Sequence, residues 1–340
     1  YDACEAMDLP ADPVISEAGL GQFEMNLMHC DDALRAADDA WLFKMLVKGL
    51  ARRHGFAASF MAKPYPDYSG SGMHTHFSVL DSDSNNVFDD GGPKGTDMLH
   101  HAIAGCLNGM YDSTLLFAPH WNSYDRLVPE AHAPTGIAWA YENRTAAIRV
   151  PSGSPSARRI EHRVAGGDVN PYLTLAAILG AALTGIEDEI RPPDPVKGNA
   201  YALDLPQIPG AWAPAIAAFE NSKIIPRIFH EEMIRTLVLP KKQARHSMDA
   251  LSPAARAQLR ILYETTRMPP HPVTAHPRVP EDVITAVQTA FVEMAATQSG
   301  AALLAQVPIR SAVEAREHDY DALRELRLSH YYIKPASGQR

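Results

Sequence analysis

Residues 158 to 164 read "RRIEHRV", and the alternation within them gives the first structural assignment of the chain. It predicts a strand over Arg159–Val164 that carries Arg159, Glu161 and Arg163 on one face. A carboxylate held between two guanidiniums indicates an ion-binding surface. The alternative is a solvated charge ladder, in which the three side chains only neutralise one another.

Two further arginines lie close by in "NRTAAIRVP", residues 143 to 151, where a second strand is predicted over Ala146–Pro151. Because like charges repel unless an anion lies among them, Arg144 and Arg149 favour an anion site, and planar guanidiniums suit phosphate or carboxylate. The pattern predicts a polyphosphate site with Glu161 inside it as a metal ligand. Neither a GxxxxGK[ST] loop nor a GxGxxG turn after a strand occurs, so the site belongs to neither common nucleotide fold.

A pair of histidines stands in "GSGMHTHFS", residues 70 to 78. A strand predicted over Met73–Leu80 places His74, His76 and Ser78 on one face. The alternative is a pair of surface histidines on an edge strand. A zinc site would need a cysteine or a third histidine at a familiar spacing, and the sequence has neither. The pattern therefore favours Mg²⁺ or Mn²⁺ held by one histidine and several carboxylates.

Two carboxylates near the start of the chain, Glu17 and Glu24, lie within "SEAGLGQFE", residues 16 to 24. The alternation over Gly21–Leu27 predicts a half-buried strand with Glu24 on its polar face. Spacing alone favours a surface role for both glutamates.

The remaining pattern mixes strands with long helices and lacks regular βαβ alternation, which predicts an α+β fold with a largely antiparallel sheet. The other predicted elements are a strand over Ala57–Met61 and helices over Asp31–Arg53, Leu99–Tyr111, from Asn170-Pro171 onward, over Pro280–Gln298 and at "HDYDALREL". The composition changes near Gln243. We therefore expect a domain boundary there, between residues 1–243 and a mostly helical segment over 244–340.

The composition limits the function. With 340 residues, 46% of them hydrophobic, the chain can bury a full core. Its net charge of -9 argues against nucleic acid and anionic membranes as partners and favours small molecules. Three unpaired cysteines suit a reducing cytoplasm, and no signal peptide or membrane-spanning run is recognisable, so we expect a cytoplasmic protein.

Seven ordered motifs resemble the glutamine synthetase family over residues 1–243: "SEAGLGQFE", "FMAKP", "GSGMHTHFS", "NSYDRLVPE", "ENRTAAIRVP", "RRIEHRV" and "NPYLTLAAIL". Within the family, the chain is most similar to the branch that makes γ-glutamyl amides of polyamines and other amines. The residues that carry this similarity are the motifs "GQFE", "FMAKPY", "GSGMH" and "RVAGGDVNPYL". The resemblance implies an antiparallel sheet funnel flanked by helices, with ATP at one end and a glutamate-like substrate at the other. It also implies a homo-oligomer.

The resemblance implies four metal ligands for two or three Mg²⁺ or Mn²⁺ ions. Glu17 and Glu24 would bind the metal on the substrate side, and His74 and Glu161 the metal that bridges the ATP phosphates. The implied reaction transfers the γ-phosphoryl group to a carboxylate, and an amine then attacks the acyl phosphate.

Eight further residues would contact the substrates. The resemblance places three of them at the glutamate end, namely Gly70, Arg126 and Arg163. It places five along the nucleotide, namely His76, Ser78, Arg144, Arg149 and Arg159.

One departure from the family pattern concerns the acceptor. Where ammonium-using members carry a glutamate that binds ammonium, "RLVPEAHAP" places His132. Losing that carboxylate favours a larger amine, although Glu130, two residues earlier, could substitute for it. Glutamine synthesis from ammonium therefore stays an alternative.

Two other departures concern the ends of the chain. The family's N-terminal β-grasp domain and a first catalytic strand with Glu-x-Glu metal ligands would precede Tyr1, so we expect two metal carboxylates to be missing. The tail, with "PPHPVTAHPRVPEDVITAVQTAF" and "HDYDALREL", resembles the C-terminal part of phosphonate-type periplasmic binding proteins. A fusion of two truncated reading frames would explain both departures, and an ordinary divergent C-terminal extension is the alternative account of the tail. A truncated or fused product without activity stays the alternative to an active ligase.

Overall fold

The structure is a computed structural model that describes residues 1–19, 21–128, 133–249, 281–294, 297 and 300. The chain divides into two compact units, residues 1–264 and 265–340. The predicted domain division after residue 243 stays a prediction; the helix Glu231–Asp249 runs through that position. The helix predicted at "HDYDALREL" lies outside the described residues.

The described residues contain eight α-helices: α1 (Asp2–Ala6), α2 (Ala33–Arg53), α3 (Asp97–Phe117), α4 (Pro171–Glu187), α5 (Trp212–Asn221), α6 (Ile225–Ile228), α7 (Glu231–Asp249) and α8 (Glu281–Met294). They contain six strands: β1 (Ala11–Ser16), β2 (Phe23–Leu27), β3 (Thr75–Phe77), β4 (Trp139–Tyr141), β5 (Ile148–Val150) and β6 (Ile160–His162). Three short 3₁₀ turns complete the set: Trp121–Asp125, Pro155–Ala157 and Ala200–Ala202.

The long helices begin where polar side chains cap them, and all of the predicted helices that fall on described residues are confirmed. The Asp32 side chain accepts hydrogen bonds from the backbone N–H groups of Leu34 (2.8 Å) and Arg35 (3.3 Å) at the start of α2. Asn170 caps α4 in the same way, with Pro171 at the first helical position. Both caps satisfy amides that have no partner inside the helix.

The strands form two sheets, β1-β2 and a four-stranded sheet in the order β3-β6-β5-β4. The pairs β1-β2, β3-β6 and β5-β6 are antiparallel, which agrees with the predicted α+β class, while β4-β5 is parallel. The parallel pair was not predicted, because no strand was assigned to Trp139–Tyr141, although β4 and β5 follow one another along the chain.

Two sequence predictions about strands are wrong. Residues 57–61 form no strand; Phe60 packs edge-on against Phe43 of α2, with ring centroids 6.2 Å apart. On β2, the predicted alternation with Glu24 on the polar face implies that Phe23 is buried on the other face, but Phe23 is 69% exposed. Its strand pairs only with β1 in the described part of the chain, and a two-stranded sheet offers little apolar surface to cover it.

The core lies between one face of the four-stranded sheet and the helices α3, α4 and α5. Ile148 of β5 and Ile160 of β6 are fully buried on that face. His162, on the same face, stacks against Phe117 at the end of α3, with ring centroids 4.7 Å apart. Because strand residues alternate, the charged residues of β5 and β6 must face the other side of the sheet.

Helices α3 and α4 touch backbone to backbone where two glycines face each other. A Cβ atom on Gly105 would lie 2.8 Å from the backbone nitrogen of Gly185, and one on Gly185 would lie 2.5 Å from that of Gly105. No side chain fits at this spacing, so the two glycines set the distance between the central helices. None of the described helices is long and apolar enough to cross a membrane.

The glycine contact predicts a loss of stability in Gly105→Ala. Because the added methyl group must push α3 away from α4, we expect the free energy of unfolding to fall by about 1–3 kcal/mol. The control is Gly49→Ala on α2, where a Cβ atom meets nothing within 4 Å. That variant should be neutral or gain up to about 1 kcal/mol from helix propensity. Urea unfolding of both variants tests this, and equal stability would contradict it.

Candidate active site

The polar face of the four-stranded sheet is organised around Glu161 of β6. The strand register places His76 of β3 and Arg149 of β5 directly opposite Glu161, one on each side. These three residues therefore form one row across three neighbouring strands. Glu161 is only 3% exposed, so the row is buried at its centre.

Four side chains surround the Glu161 carboxylate. Arg149 Nη1 donates to Glu161 Oε2 at 2.9 Å, and Arg163 Nε lies 3.7 Å from Oε1. His74 Nδ1 and His76 Nε2 lie 3.4 and 3.8 Å from the same Oε1. Because Glu161 and Arg163 are both buried, the alternative of a solvated charge ladder does not hold for this pair.

The two histidines are held in the neutral form. Desolvation, followed by the charges of Arg163 and Arg126, lowers the pKa of His74 to about 3. Desolvation also lowers the pKa of His76, although Glu161 acts in the opposite direction. Arg159 Nε donates to His76 Nδ1 at 3.1 Å, which requires an unprotonated nitrogen there. A neutral imidazole is the form that ligates metals.

The carboxylates of Glu17 and Glu24 meet at the end of the β1-β2 hairpin. The pKa of Glu24 is raised, first by desolvation and then by its hydrogen bond to Glu17 and the charge of that group. Glu161 also raises this pKa, whereas Arg144 lowers it, so both groups lie within electrostatic range of Glu24. The hairpin thus places its paired carboxylates beside the Glu161 row.

Arg126 is a buried guanidinium that forms no ion pair in the described part of the chain, although Asp168 lies within electrostatic range of it. It is 3% exposed, and its Nη1 and Nη2 atoms donate to the backbone carbonyls of Val164 (2.6 Å) and Arg163 (3.5 Å). Desolvation lowers its pKa to about 10. A charged group that is buried and only partly neutralised favours an anion beside it.

Two glycines make room for Arg126. A Cβ atom on Gly70 would lie 3.0 Å from Arg126 Cγ, and one on Gly72 would lie 2.8 Å from Arg126 Nη2 and 3.2 Å from His74 Nε2. Gly70 was predicted as a site residue, but Gly72 was missed. The only signal for Gly72 was its place in the "GSG" triplet.

The structure brings most of the predicted site residues into one region, and the others lie at its edge or beyond the described residues. Arg144 is exposed on the turn before β5, within electrostatic range of Glu24 and Arg163. Ser78 is exposed and lies one residue past the end of β3. His132 and Glu130 lie outside the described residues.

Sequence reasoning also missed a buried polar cluster that supports Arg126. Ser123, in the turn just before Arg126, donates through Oγ to Asp168 Oδ2 at 2.5 Å and accepts from the backbone N–H of His120 at 3.0 Å. Lys44 of α2 donates through Nζ to the Val169 carbonyl at 2.8 Å. The cluster ties α2, the Trp121–Asp125 turn and the segment after β6 together.

The side chains that could ligate a metal ion suit an ion that is also held by atoms of a bound substrate. Among the residues that the structure describes, no three histidine, cysteine or carboxylate side chains converge as a complete metal cage. Two pairs are present instead, Glu17 with Glu24 and His74 with Glu161. Mg²⁺ is usually held by one or two carboxylates together with water and phosphate oxygens, and the two pairs suit that mode of binding.

The comparison with family models agrees with this geometry. Residues 1–256 match the model described as "Glutamine synthetase, catalytic domain". The chain belongs to the glutamine synthetase family. Residues 239–320 match a second model, "ABC transporter, phosphonate, periplasmic substrate-binding protein", which agrees with the resemblance of the tail. Members of the glutamine synthetase family generally use ATP and a divalent metal.

Relatives within this family act on different acceptors, as their names state. The chain is 41% identical over 217 residues to gamma-glutamylputrescine synthetase PuuA of Escherichia coli, covering 64% of this chain and 46% of the relative. It is 37% identical over 238 residues to gamma-glutamylethanolamide synthetase GlnA4 of Streptomyces coelicolor, covering 70% and 50%. A glutamine synthetase of Halobacterium salinarum is 36% identical over 231 residues, covering 65% and 51%. The chain therefore spans about half the length of these curated relatives.

A solved structure supports the same fold. The structure described as "Apo GmaS without ligand" matches this glutamine synthetase family chain with a TM-score of 0.67 and 30% sequence identity. The match covers 75% of this chain and 60% of that one.

We expect the Glu161→Ala substitution to lower the stability of the protein strongly, because Glu161 compensates the charges of neighbouring arginines. Removing the carboxylate leaves Arg163 without a carboxylate contact and Arg149 with only its 3.8 Å contact to the exposed Glu142, so we expect the free energy of unfolding to fall by about 3–5 kcal/mol. The control is Glu220→Ala, which removes an exposed partner of Lys242 (2.6 Å) and should cost less than about 1 kcal/mol. Urea unfolding at pH 7 compares them, and equal losses would contradict the compensation argument.

The half-buried Lys44 of α2 makes the stability of the protein depend on pH. Desolvation lowers the pKa of Lys44 from 10.5 to about 8. Between these two values the unfolded chain holds a proton that the folded chain has lost, so the contribution of Lys44 to stability rises with pH in that window. We expect wild type to gain about 1–3 kcal/mol relative to Lys44→Met between pH 7.5 and 10. Parallel pH profiles of the two proteins in urea unfolding would contradict this.

Proposed function

We propose that the chain is the catalytic part of an ATP-dependent ligase that joins glutamate to a primary amine through a γ-glutamyl phosphate. The observation that carries the proposal is the Glu161 row: a buried carboxylate between arginines, with the neutral His74 at its edge. Such a row combines a metal ligand with donors for phosphate, which is what transfer of a phosphoryl group to a carboxylate requires.

Each part of the region has a proposed task. His74 and Glu161 would hold a metal at the nucleotide phosphates, and Glu17 and Glu24 a metal on the substrate side. A bound Mg²⁺ or Mn²⁺ would neutralise negative charge on the γ-phosphoryl group during its transfer. The residues proposed to line the nucleotide are His76, Ser78, Arg144, Arg149 and Arg159.

The glutamate end is proposed at Arg126 and Arg163. Arg163 Nη1 is buried and has no hydrogen-bond partner in the described part of the chain. Two buried guanidiniums next to each other suit one carboxylate, which would satisfy the unpaired donors. Gly70 would keep the space beside Arg126 open, because a Cβ atom there would approach Arg126 Cγ to 3.0 Å.

A primary amine is proposed as the acceptor because several relatives are named for such products. They include synthetases of gamma-glutamylputrescine and gamma-glutamylethanolamide and a glutamate–isopropylamine ligase of Pseudomonas sp.. The proposed role of His132, which stands where ammonium-using members carry a glutamate, points the same way. Ammonium is the second candidate, because glutamine synthetases are also among the relatives at 35–39% identity.

The partners proposed are ATP, glutamate and the amine, together with further copies of this chain, since oligomers are general in the family. The net charge of -9 supports small-molecule partners over nucleic acid. The cytoplasmic location inferred from the cysteine content stays a prediction. Cys4, Cys30 and Cys106 are free thiols in the structure.

The activity is tested by incubating the full chain with Mg²⁺, ATP, glutamate and one acceptor at a time: putrescine, ethanolamine, isopropylamine or ammonium. We expect ADP release that requires both glutamate and a primary amine, with the γ-glutamyl amide detected by mass spectrometry. Glu24→Gln should lower the rate on the order of 10-fold or more, because one carboxylate of the substrate-side pair loses its charge.

Two outcomes would contradict the proposal in different ways. Faster turnover with ammonium than with every amine would replace it with glutamine synthesis. If no acceptor stimulates ADP release and the chain binds neither ADP with Mg²⁺ nor glutamate, the ligase proposal fails as a whole, and the alternative of an inactive product stands.

A further inference from the structure

The two ends of the Arg126 side chain are held by one closed ring of hydrogen bonds. At the backbone end, the Arg126 N–H donates to the Ser123 carbonyl at 3.2 Å. At the other end, Arg126 Nη1 donates to the Val164 carbonyl at 2.6 Å. The Ser123 hydroxyl donates to Asp168 Oδ2 at 2.5 Å, and the chain from Asp168 back to Val164 closes the ring. This Arg126 ring, made of Arg126, Ser123, Asp168 and Val164, fixes the backbone and the guanidinium to the same two segments.

Both segments of the Arg126 ring are anchored outside it. The His120 N–H donates to Ser123 Oγ at 3.0 Å, so the hydroxyl that donates to Asp168 is itself held in place. The Gly166 N–H donates to the Phe117 carbonyl at 3.0 Å, which ties the other segment to the end of α3. Ser123 is 1% exposed, so its bond to Asp168 is shielded from water. That bond is the link of the ring that two side chains supply, and substitutions can remove it without deleting a backbone donor or acceptor.

The segment that carries Asp168 also pairs with the glycine-rich segment before β3. The Met73 N–H donates to the Ala165 carbonyl at 2.9 Å, and the Gly167 N–H donates to the Ser71 carbonyl at 2.9 Å. Residues 70–73 are the ones that leave room beside the Arg126 guanidinium. The position of the 164–168 segment therefore sets both the Arg126 guanidinium and the wall of the space in front of it.

Asp168 could act on Arg126 through its charge or through its hydrogen bond, and the geometry favours the hydrogen bond. Within the described residues, Asp168 forms no ion pair with Arg126, and its one side-chain partner at hydrogen-bond distance is Ser123. The other carboxylate oxygen, Asp168 Oδ1, is buried and has no hydrogen-bond partner among the described residues. The contact thus needs a single acceptor oxygen, which a neutral amide side chain also offers.

We propose that Asp168 is a positioning residue for the glutamate end of the site. By accepting the hydrogen bond of Ser123, it closes the ring that keeps the Arg126 guanidinium in the orientation that binds the substrate carboxylate. An arginine side chain loses much rotamer freedom when it is fixed, and a ring that fixes it beforehand removes that entropy loss from substrate binding. The inference rests on the proposed function, because that function places the substrate carboxylate at Arg126.

The direct test is equilibrium dialysis of labelled glutamate against the full chain in the presence of ADP and Mg²⁺, for wild type, Asp168→Ala and Ser123→Ala. Each variant opens the ring at the same bond, so each should weaken glutamate binding about 10-fold. The Kd of ADP should stay within about twofold, because the ring lies at the proposed glutamate end. In turnover assays both variants should raise KM for glutamate and leave kcat nearly unchanged.

Two further variants ask whether the hydrogen bond is the cause. Asp168→Asn keeps an acceptor for Ser123 but removes the charge, so glutamate binding should stay within about threefold of wild type. The double variant Ser123→Ala with Asp168→Ala should bind glutamate about as tightly as either single variant, because both substitutions remove one and the same bond. Additive losses would show that the two side chains act separately, which contradicts the ring.

The matched control is Asp112→Ala. The Ser222 hydroxyl donates to Asp112 Oδ2 at 2.5 Å, so this variant breaks the same kind of bond, also between residues far apart in sequence. It connects α3 to the segment between α5 and α6 and not to the segments around Arg126. Glutamate binding by Asp112→Ala should therefore equal that of wild type.

The outcomes separate this inference from the function on which it rests. If wild type, Asp168→Ala and Ser123→Ala bind glutamate equally well, the role of Asp168 is wrong while the ligase proposal stands. If Asp168→Asn loses as much affinity as Asp168→Ala, the charge and not the hydrogen bond matters, and the inference fails. It also fails if Asp112→Ala weakens glutamate binding alike, or if the alanine variants lose ADP binding as well. If wild type binds no glutamate, both the inference and the proposed glutamate end of the site are overturned.

Discussion

The Glu161 carboxylate is buried in the middle of a sheet, and the surrounding structure must compensate for its charge. An isolated buried carboxylate costs several kcal/mol, so it is stable only with close partners of opposite charge. Arg149 on the neighbouring strand supplies a 2.9 Å ion pair, and Arg163 on the same strand supplies a second contact at 3.7 Å. The register of β3, β6 and β5 therefore does more than pair the backbones, because it also places the partner side chains around the Glu161 carboxylate.

The charged side chains on the polar face of the four-stranded sheet do not fully satisfy one another. Arg126 donates to backbone carbonyls and lies within electrostatic range of Asp168, while the Nε and Nη1 atoms of Arg163 have no hydrogen-bond partner in the described residues. Guanidinium donors beside Glu161 are therefore left without an acceptor. The paired carboxylates of Glu17 and Glu24 also lie in this region, with Glu24 within electrostatic range of Glu161. Excess charge of both signs within one region, held by a rigid sheet, is the arrangement expected where metal ions and anionic substrates complete the balance.

The parts of the fold that sequence could predict are those fixed by neighbours in the chain. Asn170 capped its helix as predicted, and the alternation in "RRIEHRV" gave the right face for Glu161. The prediction for residues 57–61 failed because a strand needs a partner, and no local pattern names one. Gly72 and Asp168 were missed for a related reason. Each acts through residues far along the chain, as Ser123 does with Asp168 across 45 positions.

Long-range contacts of this kind also fix the irregular segment after α4. Asn143 and Thr145 flank Arg144, which is within electrostatic range of Glu24, and the same two side chains pair with the Gly198 carbonyl and the Ala200 N–H. Because these side chains satisfy backbone groups that no strand pairs, they hold the Ala200–Ala202 turn against the turn before β5.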